Sequence, residues 1–442
     1  MNHILKRAEK YTIPSEKLQK LKDVIVEQSV KLVQKEASKY SQVTGIEIVG
    51  SYAKGTWLPK RADIDIFVKF HSDTSEKEFI EIGKKIGFTA LKQFKPYVRY
   101  AEHPFVEAQI RDTKVNVVPC YDVEKGSWKS SADRSPFHTK FMIKSLTDTM
   151  KNEVRLLKSF LKANDIYGAE IAKQGFSGYV AEVLVLNFGS LENVLKEISR
   201  LKAGQVIGKT TKRFDTKIVI IDPIDENRNL GAAISNENIG RFVLAARSFL
   251  RKPALSFFTI KRKSAKMDTK NVLVLSFRYK PRSPDIIWGQ IKRAATSLAT
   301  QMNQAGFSVL KRSATISENN IASLLFLLQS KKLDNLKTRL GPEFFVSEHV
   351  EKFIAANKKK SLAMWINDDG QVCSLQKRQN TDAQKFLKLL IQYNIEKSGV
   401  PAGLKSEIKK FKIITASAAK GKSIKEAARE LVSTDETIFS NK

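Results

Sequence analysis

Residues 49–68 read VGSYAKGTWLPKRADIDIFV. An apolar run ends in Gly50-Ser51, and after a gap of eleven residues Asp63 and Asp65 interrupt a second apolar run. In an extended strand, side chains at i and i+2 lie on the same face. The two carboxylates therefore share one face, and Ile64 and Ile66 take the opposite, buried one. Like charges this close repel and raise each other's pKa unless a cation sits between them. Mg²⁺ and similar hard ions favour a few carboxylate oxygens together with substrate phosphates. The Gly50-Ser51 turn offers backbone N–H groups and a hydroxyl, which suits a phosphate. A solitary Asp-x-Asp is more often a solvated turn. The ordered set of apolar strand, Gly-Ser, gap and apolar-flanked pair points instead to a nucleotide held against a metal.

The remaining composition bounds the partner. At 442 residues the chain is too long for one core, so three or four domains are expected. Its formal net charge is +31, from 77 Lys and Arg against 46 Asp and Glu. Such a surplus destabilises a compact state by self-repulsion unless a polyanion shares the surface. Nucleic acid is the usual polyanion, and an anionic membrane the alternative. The membrane reading is weak, because no run of 18 apolar residues occurs. The N-terminal MNHILKRAEKYTIP has no apolar signal-peptide core. Cys120 and Cys373 stand far apart, which argues for a reducing interior, and the five histidines are too scattered for a zinc cluster. A cytoplasmic protein that handles nucleic acid is expected.

Along the chain, Pro14-Ser15 precedes a helical pattern carrying Leu18, Leu21, Ile25 and Leu32 on one face. IEIVG (46–50) and DIDIFVKF (63–70) read as strands, EKEFIEIGKKI as a helix, and FVEAQI with VNVVPCY as a hairpin turning at RDTK. From Thr147 to about Phe258 the pattern is mainly helical, and the basic run KRKSAK (261–266) marks a boundary. A strand, a long helix near 285–304 and two more strands follow, a β-α-β-β order found in ferredoxin-like and RNA-recognition modules. The aromatic signature for base stacking is absent from it. The C-terminal quarter opens near GPEFF (341–345), holds a hairpin turning at Asp369-Gly370, and ends in basic helical segments.

These blocks carry a resemblance. VGS…DIDIF looks like the signature of the polymerase-β-type nucleotidyltransferase superfamily. More specifically, VGSYAKGTWLPKRADIDIFVKF, RYAEHPFVEAQI, VNVVPCYDV, DRSPFHTKF, NEVRLLKSFLKANDIYGAE, GFSGY and IDPIDENRN resemble the archaeal CCA-adding enzymes, or CCA tRNA nucleotidyltransferases, across about residues 45–230. The resemblance implies an α+β multidomain fold of four parts. They are a polymerase-β-like catalytic head (1–146), a helical neck (147–258), a ferredoxin/RRM-like β-α-β-β body (259–335) and an α/β, tRNA-binding tail (336–442). The implied reaction is stepwise, template-independent addition of C, C and A to the tRNA 3′ end from CTP and ATP, with two Mg²⁺ ions. A homodimer is compatible with the resemblance.

By motif match, Asp63 and Asp65 would ligate both metals, and Gly50, Ser51 and Lys54 would cradle the triphosphate. The family commonly has arginine where Lys54 stands; lysine keeps the charge and loses the bidentate fork. His138 would contact the nucleotide's phosphates or sugar, and Lys158 and Tyr167 would lie at the incoming nucleotide. Arg228 resembles the arginine that helps read the base edge. Without the resemblance, His138 reads as a satisfied core histidine, Lys158 as a surface lysine, Tyr167 as a packing aromatic and Arg228 as a structural ion-pair partner.

The family's third carboxylate, on the strand before VVPCY, is here Asn116. Val115 and Val117 point the other way, so Asn116 occupies the active face as a catalytic and metal-facing residue. Asp112 falls in the hairpin turn and is no evident substitute. Asparagine brings no charge and cannot act as a base, and losing such a group typically costs about 10²–10⁴-fold in rate. Asn116 is read either as an introduced change in an active enzyme, or as a natural residue that leaves slow turnover or a tRNA-binding relic. A poly(A)-type polymerase is the other enzymatic alternative. GKTTKR (208–213), KKLDNLKTR (331–339), KKK (358–360) and IKKFK (408–412) are each unremarkable as solvated faces. Together they suggest a phosphate-tracking surface for a folded RNA.

Overall fold

Ser15 caps the first long helix by accepting a hydrogen bond from the Leu18 N–H, and the strands that carry Asp63, Asp65 and Asn116 follow that helix in the chain. The computed structural model describes residues 1–59, 62–100, 103–259, 268–419 and 421–439, without the side chains of 436 and 437. The basic run at 261–266 lies outside the described residues. The chain divides into two units, the first spanning Met1–Ser264 with short returns at Ser283–Asp285 and Asp435–Lys442.

The first unit begins with α1 (Asn2–Thr12), α2 (Glu16–Ala37), β1 (Val43–Val49), α3 (Gly50–Ala53), β2 (Asp63–Phe70), α4 (Glu76–Ala90), β3 (Tyr97–Tyr100), β4 (Pro104–Ile110) and β5 (Thr113–Tyr121). The strands form one sheet in the order β1-β2-β5-β4-β3. β2 and β5 run parallel and the other neighbours antiparallel. Ile64, Ile66, Val115 and Val117 are fully buried against Ile25 of α2 and Phe79 and Ile86 of α4. That packing leaves Asp63, Asp65 and Asn116 on the opposite face, as the alternation requires. Lys22 of α2 is also buried, with its ammonium donating to Asp112 and Thr113 at the β4–β5 turn. Asp112 is thus committed to anchoring that hairpin.

Next come α5 (Arg134–Ser145), α6 (Asp148–Ala163), α7 (Gly178–Phe188), α8 (Leu191–Ser199), β6 (Gln205–Ile207), β7 (Ile218–Asp222), β8 (Asp225–Asn229) and α9 (Asn236–Arg251). Thr147, Ser177, Ser190 and Ser235 cap α6, α7, α8 and α9 through their hydroxyls. Phe160, Phe176, Phe242 and Phe249 build an aromatic core between these helices. The sequence reads this region as mainly helical, yet residues 205–229 also form a three-stranded sheet in the order β6-β7-β8. Its central strand, IVIID, is buried throughout, and so short an apolar run has no periodicity to separate strand from helix.

The second unit holds β9 (Val272–Arg278), α10 (Pro284–Gln304), β10 (Val309–Ile316), β11 (Ile321–Leu328), β12 (Leu336–Glu343), α11 (Ser347–Asn357), β13 (Ser361–Ile366), β14 (Gln371–Lys377), α12 (Ala383–Tyr393), α13 (Ala402–Ile408), β15 (Lys412–Thr415) and α14 (Lys422–Val432). The expected β-α-β-β module is present, and β15 joins it to give the order β10-β11-β9-β15. Leu273, Leu275 and Leu324 pack on one side with Ile291, Leu298, Leu387 and Leu404 of α10, α12 and α13. On the other side Val272, Val274 and Leu325 meet Ile424, Ala428 and Leu431 of α14. Helices therefore cover both faces of this sheet, where a base-stacking module would need one face open. A second sheet, β12-β14-β13, contains the expected hairpin, with Gly370 in the left-handed region at φ +75°.

Candidate active site

The parallel register of β2 and β5 pairs Asp63 with Lys114 and Asp65 with Asn116. Asp63 is exposed, whereas Asp65 is half-buried behind the Gly50 turn. Gly50 has φ +79°, and a Cβ built on it would stand 2.3 Å from Asp65 Oδ2. Only glycine lets the turn come this close to the carboxylate. The Gly50 N–H donates to Thr139 Oγ1 at 3.2 Å, which ties the turn to α5. Ser51 follows in α3, half-buried.

Burial pushes the Asp65 carboxyl up to about 6, and the neighbouring Asp63 charge adds to this against the opposing pull of Asn116 and Lys54. Asn116 is 9% exposed and donates from Nδ2 to Asp65 Oδ1 at 2.8 Å. Its own Oδ1 is buried without a hydrogen-bond partner among the described residues. A divalent cation fits this face. It would favour the ionised form of Asp65 against its burial and the Asp63 charge, and Asn116 Oδ1 is an orphaned oxygen beside the same carboxylate. The donor set is poorer than three carboxylates, because the third oxygen is neutral.

A second cluster lies on the wall formed by α6 and α7. Lys54 and Lys158 are both buried, and both point at Glu182 of α7, which is fully buried. Glu182 Oε2 accepts from Lys54 Nζ at 2.5 Å, and Oε1 accepts from Lys158 Nζ at 2.9 Å and from Thr56 Oγ1 at 2.6 Å. Burial alone would raise the Glu182 carboxyl, but the two ammonium charges outweigh it and hold it down to about 2. Burial likewise lowers Lys54, against the pull of Glu182. Tyr167 is half-buried beside Gly178, where an added Cβ would stand 2.8 Å from its hydroxyl and 3.4 Å from Lys158 Cε.

The third cluster centres on Asp222, at the end of β7. It accepts from His138 Nε2, Tyr179 OH and Arg228 Nη1, each at 2.9 Å, and from the Ile224 N–H at 3.1 Å. Burial would raise Asp222, yet these hydrogen bonds hold it down to about 2. Burial lowers the His138 imidazole despite Asp222, and the ring stacks on Tyr179 with centroids 3.9 Å apart. Tyr179 joins the second and third clusters, because Lys54 Nζ also lies 5.4 Å from its ring centre.

All ten sequence-predicted site residues thus fall in the first unit. Asp63, Asp65, Asn116, Gly50 and Ser51 gather at β2, β5 and the turn after β1, Lys54, Lys158 and Tyr167 at the Glu182 wall, and His138 with Arg228 at Asp222. Sequence reasoning missed Glu182, Thr56, Tyr179 and Asp222. Tyr179 and Asp222 lie inside the quoted GFSGY and IDPIDENRN blocks, and Glu182 is the lone acid in the apolar helix GYVAEVLVLNF. A solitary charge in such a helix is a usable signal, since it needs a buried partner.

Family models cover most of the chain. A nucleotidyltransferase domain matches residues 30–143, a tRNA nucleotidyltransferase second domain 152–259, and a CCA-adding enzyme C-terminal domain 268–416. The CCA-adding enzyme of Saccharolobus islandicus (strain M.14.25 / Kamchatka #1) is 37% identical over 374 residues, 83% of this chain and 89% of that protein. The CCA-adding enzyme of Pyrobaculum aerophilum is 35% identical over 361 residues, 80% of this chain and 86% of that protein. Among solved structures, a cytoplasmic RNA terminal U-transferase aligns with a TM-score of 0.44 at 14% identity, over 60% of this chain and all of that one.

Proposed function

The chain belongs to the CCA-adding enzymes, and from that premise we propose that it extends the 3′ end of tRNA by C, C and A, using CTP and ATP without a template. The observation that carries this reading is the paired Asp63 and Asp65 face, closed by the Gly50 turn, with buried Lys54 near enough to act on Asp65. In each step the tRNA 3′-hydroxyl oxygen bonds to the α-phosphorus, the bond from that phosphorus to the bridging oxygen breaks, and pyrophosphate leaves. Most of the acceleration in such transfers comes from positioning and charge stabilisation.

Asp63 and Asp65, with Asn116 Oδ1, would hold Mg²⁺, two ions in the full arrangement. Bound there, the metal supplies charge neutralisation at the triphosphate and a lowered pKa for the attacking hydroxyl. The Gly50-Ser51 turn and Lys54 take phosphate oxygens, while Lys158 and Tyr167 shape the wall beside them. His138 and Arg228, oriented by Asp222, meet the sugar and base. Asn116 favours slow turnover, because a neutral amide neither takes the hydroxyl's proton nor adds charge beside the metal.

The basic segments outside this site support binding of the tRNA body. Lys358, Lys359 and Lys360 are exposed, as are Lys409, Lys410 and Lys412. No helix among the described residues is long and apolar enough to cross a membrane. A cytoplasmic setting and a homodimer belong to the same proposal. Exposed Leu340, Phe345 and Ile366 offer apolar area that a second copy would cover.

The test is incorporation. Protein is given a tRNA lacking its CCA end, Mg²⁺, and labelled CTP or ATP. Two C additions followed by one A are expected. Runs of A alone would favour a poly(A)-type polymerase, and tRNA binding without any incorporation would leave only a binding role.

A further inference from the structure

Lys54 and Lys158 differ in how many protons they have left to give. An ammonium has three N–H donors. Those of Lys158 are matched by Thr56 O at 3.2 Å, Thr56 Oγ1 at 2.9 Å and Glu182 Oε1 at 2.9 Å. Among the described residues Lys54 has one hydrogen-bond acceptor, Glu182 Oε2, which leaves two N–H groups beside the ring of Tyr179. Two ammonium groups against one carboxylate leave the trio at +1.

Two buried cations at one place are costly, and removing their common partner leaves each uncompensated. Glu182 is therefore not a bystander to the two lysines. It sits one turn after Tyr179 on α7, so the same helical face supplies both the anion and the ring that Lys54 leans on. Gly178, at the start of that helix, leaves the space into which Tyr167 and Lys158 pack.

We propose that Glu182 is the positioning residue of the triphosphate cradle: it fixes Lys54 so that its two spare N–H groups meet the polyphosphate, and it holds Lys158 as a brace. This deepens the nucleotide-binding reading and rests on it. Glu182 touches no reacting atom, and its effect reaches the nucleotide through Lys54. The chemistry it prepares for is a nucleoside triphosphate of either base, because the trio meets the Asp222 cluster only through the ring of Tyr179, while Arg228 is held by Asp222 itself.

The full chain is titrated with CTP, with ATP and with tRNA in the presence of Mg²⁺, comparing the wild type with Glu182→Gln. Binding at equilibrium needs no turnover, so a slow catalytic step does not mask the result. The Gln variant is expected to bind CTP and ATP each about tenfold more weakly, the loss expected for a charge-assisted contact, with their ratio and the tRNA affinity unchanged. Should Glu182→Gln not fold, Thr56→Val keeps all three charges and removes the hydroxyl that bridges Lys158 and Glu182. It is expected to weaken both nucleotides by about threefold. Unchanged nucleotide affinity in the folded variant would overturn the inference. So would a parallel loss of tRNA affinity, which marks general structural damage. Failure of the wild type to bind CTP at all would instead remove the nucleotide-binding reading on which the inference stands.

Discussion

Asn116 stands directly across from Asp65 on the neighbouring parallel strand, and its amide donates to Asp65 Oδ1 at 2.8 Å. The bond neutralises nothing: it links a carboxylate to a group with no charge and strands the amide's own oxygen in the interior. Placing a carboxylate there would set three acids on one face, which is unfavourable without a cation and favourable with one. Asn116→Asp should therefore raise the rate of CTP incorporation by about 10²-fold or more, with little change in the KM for CTP. In EDTA the same variant should melt lower than the wild type, and Mg²⁺ should reverse the order. Equal turnover in the two proteins would mean that Asn116 is not at the limiting step.

Asp65 makes a stability prediction with a definite sign. Its folded pKa is raised to about 6 from the ordinary 3.8, chiefly by burial. Between those values the folded chain binds more protons than the unfolded one, so this residue's contribution falls as pH rises and is most unfavourable above pH 6. Asp65→Asn removes that cost and can still accept from Asn116. In metal-free buffer it should stabilise the protein by about 1–3 kcal/mol at neutral pH and by almost nothing near pH 4. Urea melts at the two pH values check this. A gain of equal size at both would show that Asp65 is not held against its charge. Nucleotide incorporation should be lost in either case.

Among the described residues Arg228 makes one side-chain hydrogen bond, from Nη1 to Asp222, and its side chain is 38% exposed. Lysine at this position would keep a charge and lose the paired donors that a base edge can use. Arg228→Lys should therefore weaken discrimination more than binding. Misincorporation of UTP relative to CTP is expected to rise by about tenfold or more, while the tRNA KM stays near the wild-type value. Unchanged selectivity would confine Arg228 to its ion pair with Asp222.

Strands β2 and β5 and the faces of their side chains were legible because their signals are local. Alternation alone separates Asp63 and Asp65 from Ile64 and Ile66, and the same logic places Asn116 opposite Val115 and Val117. The partners of Lys54 and Lys158 were not legible, because the contact to Glu182 joins positions more than twenty residues apart and depends on how α7 packs. A lysine in KSFLKAN reads as solvated until that packing is known, and Lys158 proves to be 2% exposed. His138 shows the same limit. It is a buried, hydrogen-bonded histidine and also a member of the Asp222 cluster, so the two alternatives set out for it do not exclude each other. The sheet at 205–229 escaped because its strands are too short to carry a period.

Gly50 offers the sharpest test of how the turn and the carboxylate depend on each other. Its φ of +79° is one that side-chain-bearing residues rarely adopt, and an added Cβ would come within 2.3 Å of Asp65 Oδ2. The obstruction is the Asp65 carboxylate proposed to hold the metal, so any relief moves Asp65 or unwinds the turn. Gly50→Ala should cost about 1–3 kcal/mol in stability, from backbone strain and the clash together. It should also reduce incorporation by about 10²-fold or more, since a displacement near 1 Å at a reacting group suffices for that. Gly45, in β1, is the internal control: a Cβ there meets nothing within 4 Å, and its φ lies outside the left-handed region. Gly45→Ala should leave activity intact and stability unchanged or slightly raised. If both variants behaved alike, the close approach of Asp65 to the Gly50 turn would have no functional weight. If only Gly50→Ala fails, the glycine is required for the geometry of the metal-facing pair.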